Sequence, residues 1–307
     1  RSLARLDRKT HTIPMKTINV LLQEAAKALF STTRDRTQAW LEAELLFGEA
    51  LKKERVWLLA HPDETITVSI EKRFLRLLER RSQHEPLAYV LGEAPFYGRS
   101  FHVNKHTLIP RIETEELVEK ARSFLKTAPV ETLIWDVGTG SGVIAVTLQC
   151  LFPTQRILAT DISKSALRIA KQNANKHQPK TLPIFMEANL LEKKVENYLL
   201  QQETSHLVVI ANLPYIPLKD KDQLQPQVKD YEPASALFAA REGRALNEKL
   251  LTQLATFSKK HQININGCLE FDPSQTRALR ALAKEHFKNV RILKDLHGRE
   301  RFLEFHS

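Results

Sequence analysis

The chain has 307 residues, of which 42% are hydrophobic and 27% charged, proportions of an ordinary folded protein with room for two domains. A net charge of +10 favours encounter with acidic partners or polyanions without identifying one. The apolar runs are strand-sized, too short to span a bilayer. Eleven scattered histidines and two distant cysteines, Cys150 and Cys268, offer no metal-ligand spacing and read as buried thiols in a reducing, cytoplasmic setting.

Residues 1–14 are basic, lack periodicity and lack the apolar centre of a secretory signal. They read as a disordered extension upstream of the folded protein, with a transit peptide as the competing reading, and Met15 as the true start. From Ile18 to Ser82 apolar residues recur every three to four positions: Leu21, Leu22, Ala25, Ala26, Leu29 and Phe30, then Trp40, Ala43, Leu46 and Phe47, then Phe74, Leu75, Leu77 and Leu78. A bundle of about four or five helices over residues 15–85 is expected. Lys52-Lys53-Glu54-Arg55 and the stretch from Arg73 to Arg81 read as solvated helix faces, with docking of an RNA-rich partner as the alternative. Glu85-Pro86 ends the last helix, and the alternation after it predicts a β-hairpin linker over 86–108. Around Glu113 and Thr114 a helix starts.

Beyond Thr132 strand and helix alternate. Strands are predicted at 132–137, 156–160, 183–187, 206–211, 263–271, 289–294 and 301–305, with helices near 141–152, 163–177, 245–260 and 274–286. The fold class is therefore α/β, a mostly parallel doubly wound sheet over residues 109–307 with right-handed crossovers. The short turn Asp295–Arg299 forces the last two strands to pair antiparallel. Such a sheet binds ligands outside the carboxyl ends of its strands.

Three of the nine glycines fall in Asp136-Val137-Gly138-Thr139-Gly140-Ser141-Gly142, directly after an apolar strand and before a helix. Bare backbone there lets a ligand approach where a Cβ would collide. The spacing Gly-x-Gly-x-Gly departs from the dinucleotide fingerprint, and it suits a ligand whose near end is an amino acid. The loop amides would take its carboxylate, and Asp136 or a carbonyl its ammonium. Asp161, at the end of the next strand, is placed to accept ribose hydroxyls. An amino acid joined to a nucleoside describes S-adenosylmethionine.

The strand Leu207–Ile210 runs into Ala211-Asn212-Leu213-Pro214-Tyr215. An amide nitrogen is a poor nucleophile because its lone pair is delocalised. Two oxygen acceptors, the Asn212 side chain and the Leu213 carbonyl, would hold its hydrogens and aim it at the methyl group. Pro214 stiffens that loop, and Tyr215 offers a flat wall to a planar group. Adenine presents a similar NH₂, so amide and adenine acceptors both remain open.

The chain from Met15 onward resembles the HemK/PrmC family of peptide chain release factor glutamine N5-methyltransferases. The resemblance rests on Glu85–Gly92, Phe96-Tyr97-Gly98, Leu108–Glu115, Asp136–Gly142, Asp161-Ile162-Ser163, Asp230–Pro233, Ala236–Phe238 and Gly298–Arg301. It implies a class I S-adenosylmethionine-dependent methyltransferase whose acceptor is the glutamine of a Gly-Gly-Gln loop in release factors. No direct nucleic-acid substrate, no membrane partner and a monomer are also expected, and the helical domain is read from its position as the surface that docks the protein substrate. Three positions depart from the family: Leu213 replaces a proline, Asn189 stands where an aspartate faces the adenine, and Glu270-Phe271-Asp272 replaces Glu-Ile-Gly. Rival readings are methylation of a ribosomal-protein glutamine or of adenine in nucleic acid, and a catalytically impaired relative that only binds release factor. The helical bundle has no helix-turn-helix or zinc pattern, which argues against a nucleic-acid substrate.

Overall fold

A computed structural model describes residues 16–307, so the expectations for residues 1–14 and for Met15 lie outside the described residues. The chain divides after Leu91 into two compact units.

The first unit holds five helices: α1 (Ile18–Thr33), α2 (Arg36–Leu51), α3 (Arg55–Ala60), α4 (Val68–Ser82) and α5 (Leu87–Leu91). The start of each long helix is fixed by a side-chain cap: Thr17, Asp35 and Thr67 accept from the amides of Val20, Gln38 and Ile70. The apolar stripes read from the sequence close on one another, with Leu21, Leu29, Ala43, Leu46, Phe47 and Phe74 in a single core. One polar pair is buried beside it. Arg81 Nε donates to Glu42 Oε2 at 2.6 Å, and both side chains are 5% exposed.

The expected hairpin is shorter than 86–108. Residues 87–91 are helical, because Pro86 presets the first turn and its carbonyl accepts from the amides of Tyr89 and Val90. The strands are β1 (Glu93–Phe96) and β2 (Arg99–His102), paired antiparallel within the second unit.

The second unit continues with α6 (Glu115–Leu125), β3 (Leu133–Val137), α7 (Val143–Leu151), β4 (Arg156–Asp161), α8 (Lys164–His177), β5 (Ile184–Glu187), α9 (Lys193–Gln201), β6 (His206–Ala211), β7 (Ile216–Pro217), α10 (Pro226–Lys229), α11 (Ala234–Leu237) and β8 (Phe238–Ala239). It ends with α12 (Ala245–His261), β9 (Asn264–Glu270), α13 (Thr276–His286), β10 (Asn289–Lys294) and β11 (Glu300–His306). Seven strands form one sheet in the order β10-β11-β9-β6-β3-β4-β5; β11 alone runs antiparallel to both its neighbours. Every residue of β3 is buried, as a strand covered on both faces requires. Its side chains alternate between two cores. Leu133, Trp135 and Val137 pack with Leu250, Leu254 and Leu279, while Ile134 packs with Leu117, Ile144 and Leu148. The short helices α9, α10 and α11 and the two-residue pair β7–β8 are additions that periodicity did not signal. No helix among the described residues is long and apolar enough to cross a membrane.

The order places β3 first, β4 and β5 to one side, and β6 and β9 to the other. The chain changes direction across β3, so the carboxyl ends of β3, β4 and β6 open a crevice between them.

Candidate active site

A cavity of about 210 Å³ fills that crevice. Of the residues singled out in the sequence, Gly138, Thr139, Gly140, Ser141, Asp161, Asn189, Asn212, Leu213 and Pro214 line it. Asp136, Gly142 and Tyr215 do not.

The glycine loop is shaped by its own hydrogen bonds. The amides of Gly138 and Thr139 both donate to the Thr160 carbonyl, at 2.8 and 2.9 Å. The Gly140 amide donates to Asp161 Oδ2 at 2.9 Å, and the Gly142 amide to the Thr139 carbonyl at 2.8 Å. These four amides have partners within the protein and fix the curvature of the turn. What the glycines supply is clearance. A Cβ on Gly138, which has φ +73°, would stand 2.8 Å from Leu213 Cδ2.

Asp136 sits behind the loop rather than in the cavity. Its Oδ2 accepts from Thr139 Oγ1 at 2.6 Å and from the Ala145 amide at 3.1 Å, capping the first turn of α7. Its Oδ1 is buried with no partner among the described residues. Burial, opposed by those two bonds, pushes this carboxyl up to about 7.

Asp161 faces the cavity with both oxygens anchored. Oδ1 accepts from the Ser163 amide at 2.8 Å and Oδ2 from Gly140. Each oxygen keeps a further lone pair for a ligand hydroxyl. Burial raises its pKa, and the backbone donors pull it back. Asn189, exposed, stands at the edge of the cavity beyond β5.

Asn212 leaves β6 beside the glycine loop, since Val137 and Ala211 are partners in the ladder. Its Nδ2 donates to Thr114 Oγ1 at 2.9 Å, and Oδ1 has no recorded partner among the described residues. Leu213 is 5% exposed and seats against Gly138, so this departure from the family serves as a packing contact.

Tyr215 is outside the cavity lining; its hydroxyl donates to Glu270 Oε1 at 3.1 Å, and its carbonyl accepts from Gln275 Nε2 at 2.8 Å. Burial and the neighbouring Glu270 push the phenol well above its usual range.

Two groups of site residues escaped the sequence reading. Thr114 and Glu270 stand behind Asn212: Thr114 Oγ1 donates to Glu270 Oε2 at 3.0 Å. Arg111, His106 and Leu108 also line the cavity. Arg111 Nη2 meets Glu232 Oε1 at 2.5 Å, and the Ile109 amide donates to Glu232 Oε2 at 3.1 Å. That clamp ties the Ile109-Pro110-Arg111 stretch to Asp230–Pro233. Both stretches carried the resemblance, and their joint appearance was the available signal.

Known proteins match the chain along most of its length. Residues 21–92 match the model of the PrmC N-terminal domain, and residues 117–237 match that of ribosomal protein L11 methyltransferase (PrmA). A release factor glutamine methyltransferase of Staphylococcus aureus is 34% identical, with 86% of this chain and 91% of that one covered. Another from Enterococcus faecalis is 38% identical over 80% and 84% of the two chains. Among solved structures, the hMettl16 catalytic domain in complex with a MAT2A 3'UTR hairpin shares the fold at a TM-score of 0.50 and 14% identity, covering 68% of this chain and 75% of that one. The chain belongs to the PrmC/HemK family of release factor glutamine methyltransferases, which have the class I fold and use S-adenosylmethionine.

Proposed function

We propose that the protein transfers a methyl group from S-adenosylmethionine to the side-chain amide nitrogen of the glutamine in the Gly-Gly-Gln loop of peptide chain release factors. The residues present suit that cofactor. Asp161 offers two oxygens to a ribose diol, Asn189 an amide to the base, and Gly138 to Ser141 a Cβ-poor wall for the amino-acid end. The cofactor supplies an electrophilic methyl on a sulfonium. Everything else falls to the chain. Asn212 Oδ1 and the Leu213 carbonyl accept the two N–H groups of the incoming amide, holding its nitrogen edge-on toward the glycine loop. Pro214 limits the freedom of that pair. No base is required before transfer, because the methylated nitrogen sheds its proton readily afterwards.

One observation carries the reading: the Asn212 amide is anchored through its nitrogen, which leaves its oxygen as the end open to a substrate N–H. The helical unit, matched over residues 21–92 to the PrmC N-terminal domain, is in this reading the docking surface for the protein substrate. The enzyme acts in the cytoplasm as a monomer on protein, not on nucleic acid.

The test is incubation with labelled cofactor and release factor, ribosomal protein or nucleic acid, followed by mass mapping of the modified residue. Label on the release-factor glutamine, lost when that residue is changed to alanine, is the expected result; label only on another acceptor would overturn the assignment. Asn212→Ala should remove most turnover while cofactor affinity stays nearly unchanged. Equal loss of both would make Asn212 a fold residue.

A further inference from the structure

We propose that Thr114 and Glu270 are positioning residues that fix which end of the Asn212 amide faces the acceptor. The inference rests on the role given to Asn212 above, and it follows from counting protons along one chain of hydrogen bonds.

An ionised carboxylate only accepts, and Glu270 has one donor on each oxygen: Thr114 on Oε2 at 3.0 Å and Tyr215 on Oε1 at 3.1 Å. Thr114 has a single hydroxyl proton, and it is directed at Glu270. Toward Asn212, 2.9 Å away, Thr114 Oγ1 can therefore only accept. The end of the amide that meets it must be the NH₂, so the oxygen is left for the substrate. Without the carboxylate the proton of Thr114 has no fixed direction. The hydroxyl could then donate to the amide oxygen, the amide would turn over, and its NH₂ would oppose the NH₂ of an incoming glutamine. Donor would face donor.

The three partners come from different places in the fold: Thr114 from the turn just ahead of α6, Asn212 from the loop just after β6 and Glu270 from the end of β9. Glu270 is itself held, since its main-chain carbonyl accepts from Asn247 Nδ2 at 3.2 Å and its side chain is fully enclosed. Tyr215, three residues past Asn212, supplies the second bond and so ties the substrate loop to the same carboxylate.

Burial pushes the Glu270 carboxyl up to about 7, against the pull of its two hydrogen bonds. Arg301 on β11 favours the ionised form, while Glu113 ahead of α6 opposes it. Tyr215 and Cys268 are the other titratable neighbours, and burial raises both. A protonated Glu270 would become a donor to Thr114 and reverse the chain. Orientation of the acceptor, and with it turnover, would therefore decline as pH falls through about 7.

Thr114→Val keeps the shape and removes the relay. At saturating cofactor its kcat should fall about 100-fold, the scale of a misplaced reacting group, with cofactor affinity unchanged. Thr114→Ser restores the hydroxyl and should recover turnover to within about threefold of the parent. A Thr114→Val enzyme within about threefold of the parent, or one that loses cofactor affinity in step with kcat, would overturn the proposal. A second readout does not depend on turnover. In ¹⁵N-labelled protein, the side-chain NH₂ pair of Asn212, assigned by its absence in Asn212→Ala, should shift with pH around 7 as Glu270 titrates. The same pair should be pH-independent in Thr114→Val. A flat response in the parent protein would overturn the relay. Absence of methyl transfer to release factor would overturn the functional reading alone, because the amide signal still reports on the relay.

Discussion

Replacing Gly138 by alanine tests whether the glycine loop and the Asn212 loop form one packed unit. At φ +73° an L side chain is strained, by about 1–2 kcal/mol. The new Cβ would also stand 2.8 Å from Leu213 Cδ2. Carbon pairs prefer roughly 3.5–4.0 Å, so Leu213 has to move. Leu213 belongs to the filled core on one face of the sheet, and overpacking such a site costs about 1–3 kcal/mol. Gly140→Ala is the matched control: it has φ +56°, but nothing lies within 4 Å of its Cβ. The expected losses are about 2–5 kcal/mol for Gly138→Ala and about 1–2 kcal/mol for Gly140→Ala. In a domain of roughly 200 residues each kcal/mol lowers Tm by about 2–4 °C, so scanning calorimetry resolves the difference. Turnover should fall further in Gly138→Ala, since the displaced Leu213 is bonded to Asn212. Adding Leu213→Ala vacates the position and should make the pair non-additive by more than about 0.5 kcal/mol. Equal melting shifts for the two alanines, or strict additivity in the double variant, would refute the packing argument.

Asp161→Ala removes the acceptor for two backbone amides and, in the proposed reading, for ligand hydroxyls. A bond to a charged group contributes about 1.5–3 kcal/mol, so calorimetry should show cofactor binding weakened about 100-fold with kcat at saturation little changed. Unaltered affinity would contradict the ribose assignment. For Asp136, burial holds the carboxyl at about 7, far above an ordinary aspartate. A cation in the cavity favours the ionised form. Cofactor binding near pH 7 should therefore release protons, and affinity should climb as pH rises from about 6 to about 8. Titration in buffers of different ionisation heat measures this, and Asp136→Asn should abolish it; buffer-independent heat in the parent protein would refute it.

Much of the candidate cavity's lining was legible because its parts are local. The Asp136–Gly142 turn, Asp161 at a strand end and Asn212 at another each announce themselves within a few residues, and parallel pairing brings them together. The parts that were not legible are long-range. Thr114 and Glu270 are separated by 156 positions, and Asn212 and Thr114 by 98. A threonine at a helix start and a glutamate in a strand carry no mark of a shared proton until folding joins them. The direction of the Tyr215 hydroxyl was hidden for the same reason, because it is set by Glu270, which lies 55 residues further on. The Leu87–Leu91 turn misled differently: a five-residue helix offers too few positions to separate a period of 3.6 from one of 2. Leu213 is the converse case. Its side chain replaces a rigid proline, yet it found a seat against Gly138 that only the tertiary arrangement provides.

The Thr160 carbonyl receives two consecutive amides, those of Gly138 and Thr139, while the same residue's hydroxyl accepts the buried Trp135 indole N–H at 2.9 Å. A turn pinned at that depth has its final contour before any small molecule arrives. Ligand capture then needs no induced rearrangement of this wall, and the entropic cost of shaping it belongs to folding instead.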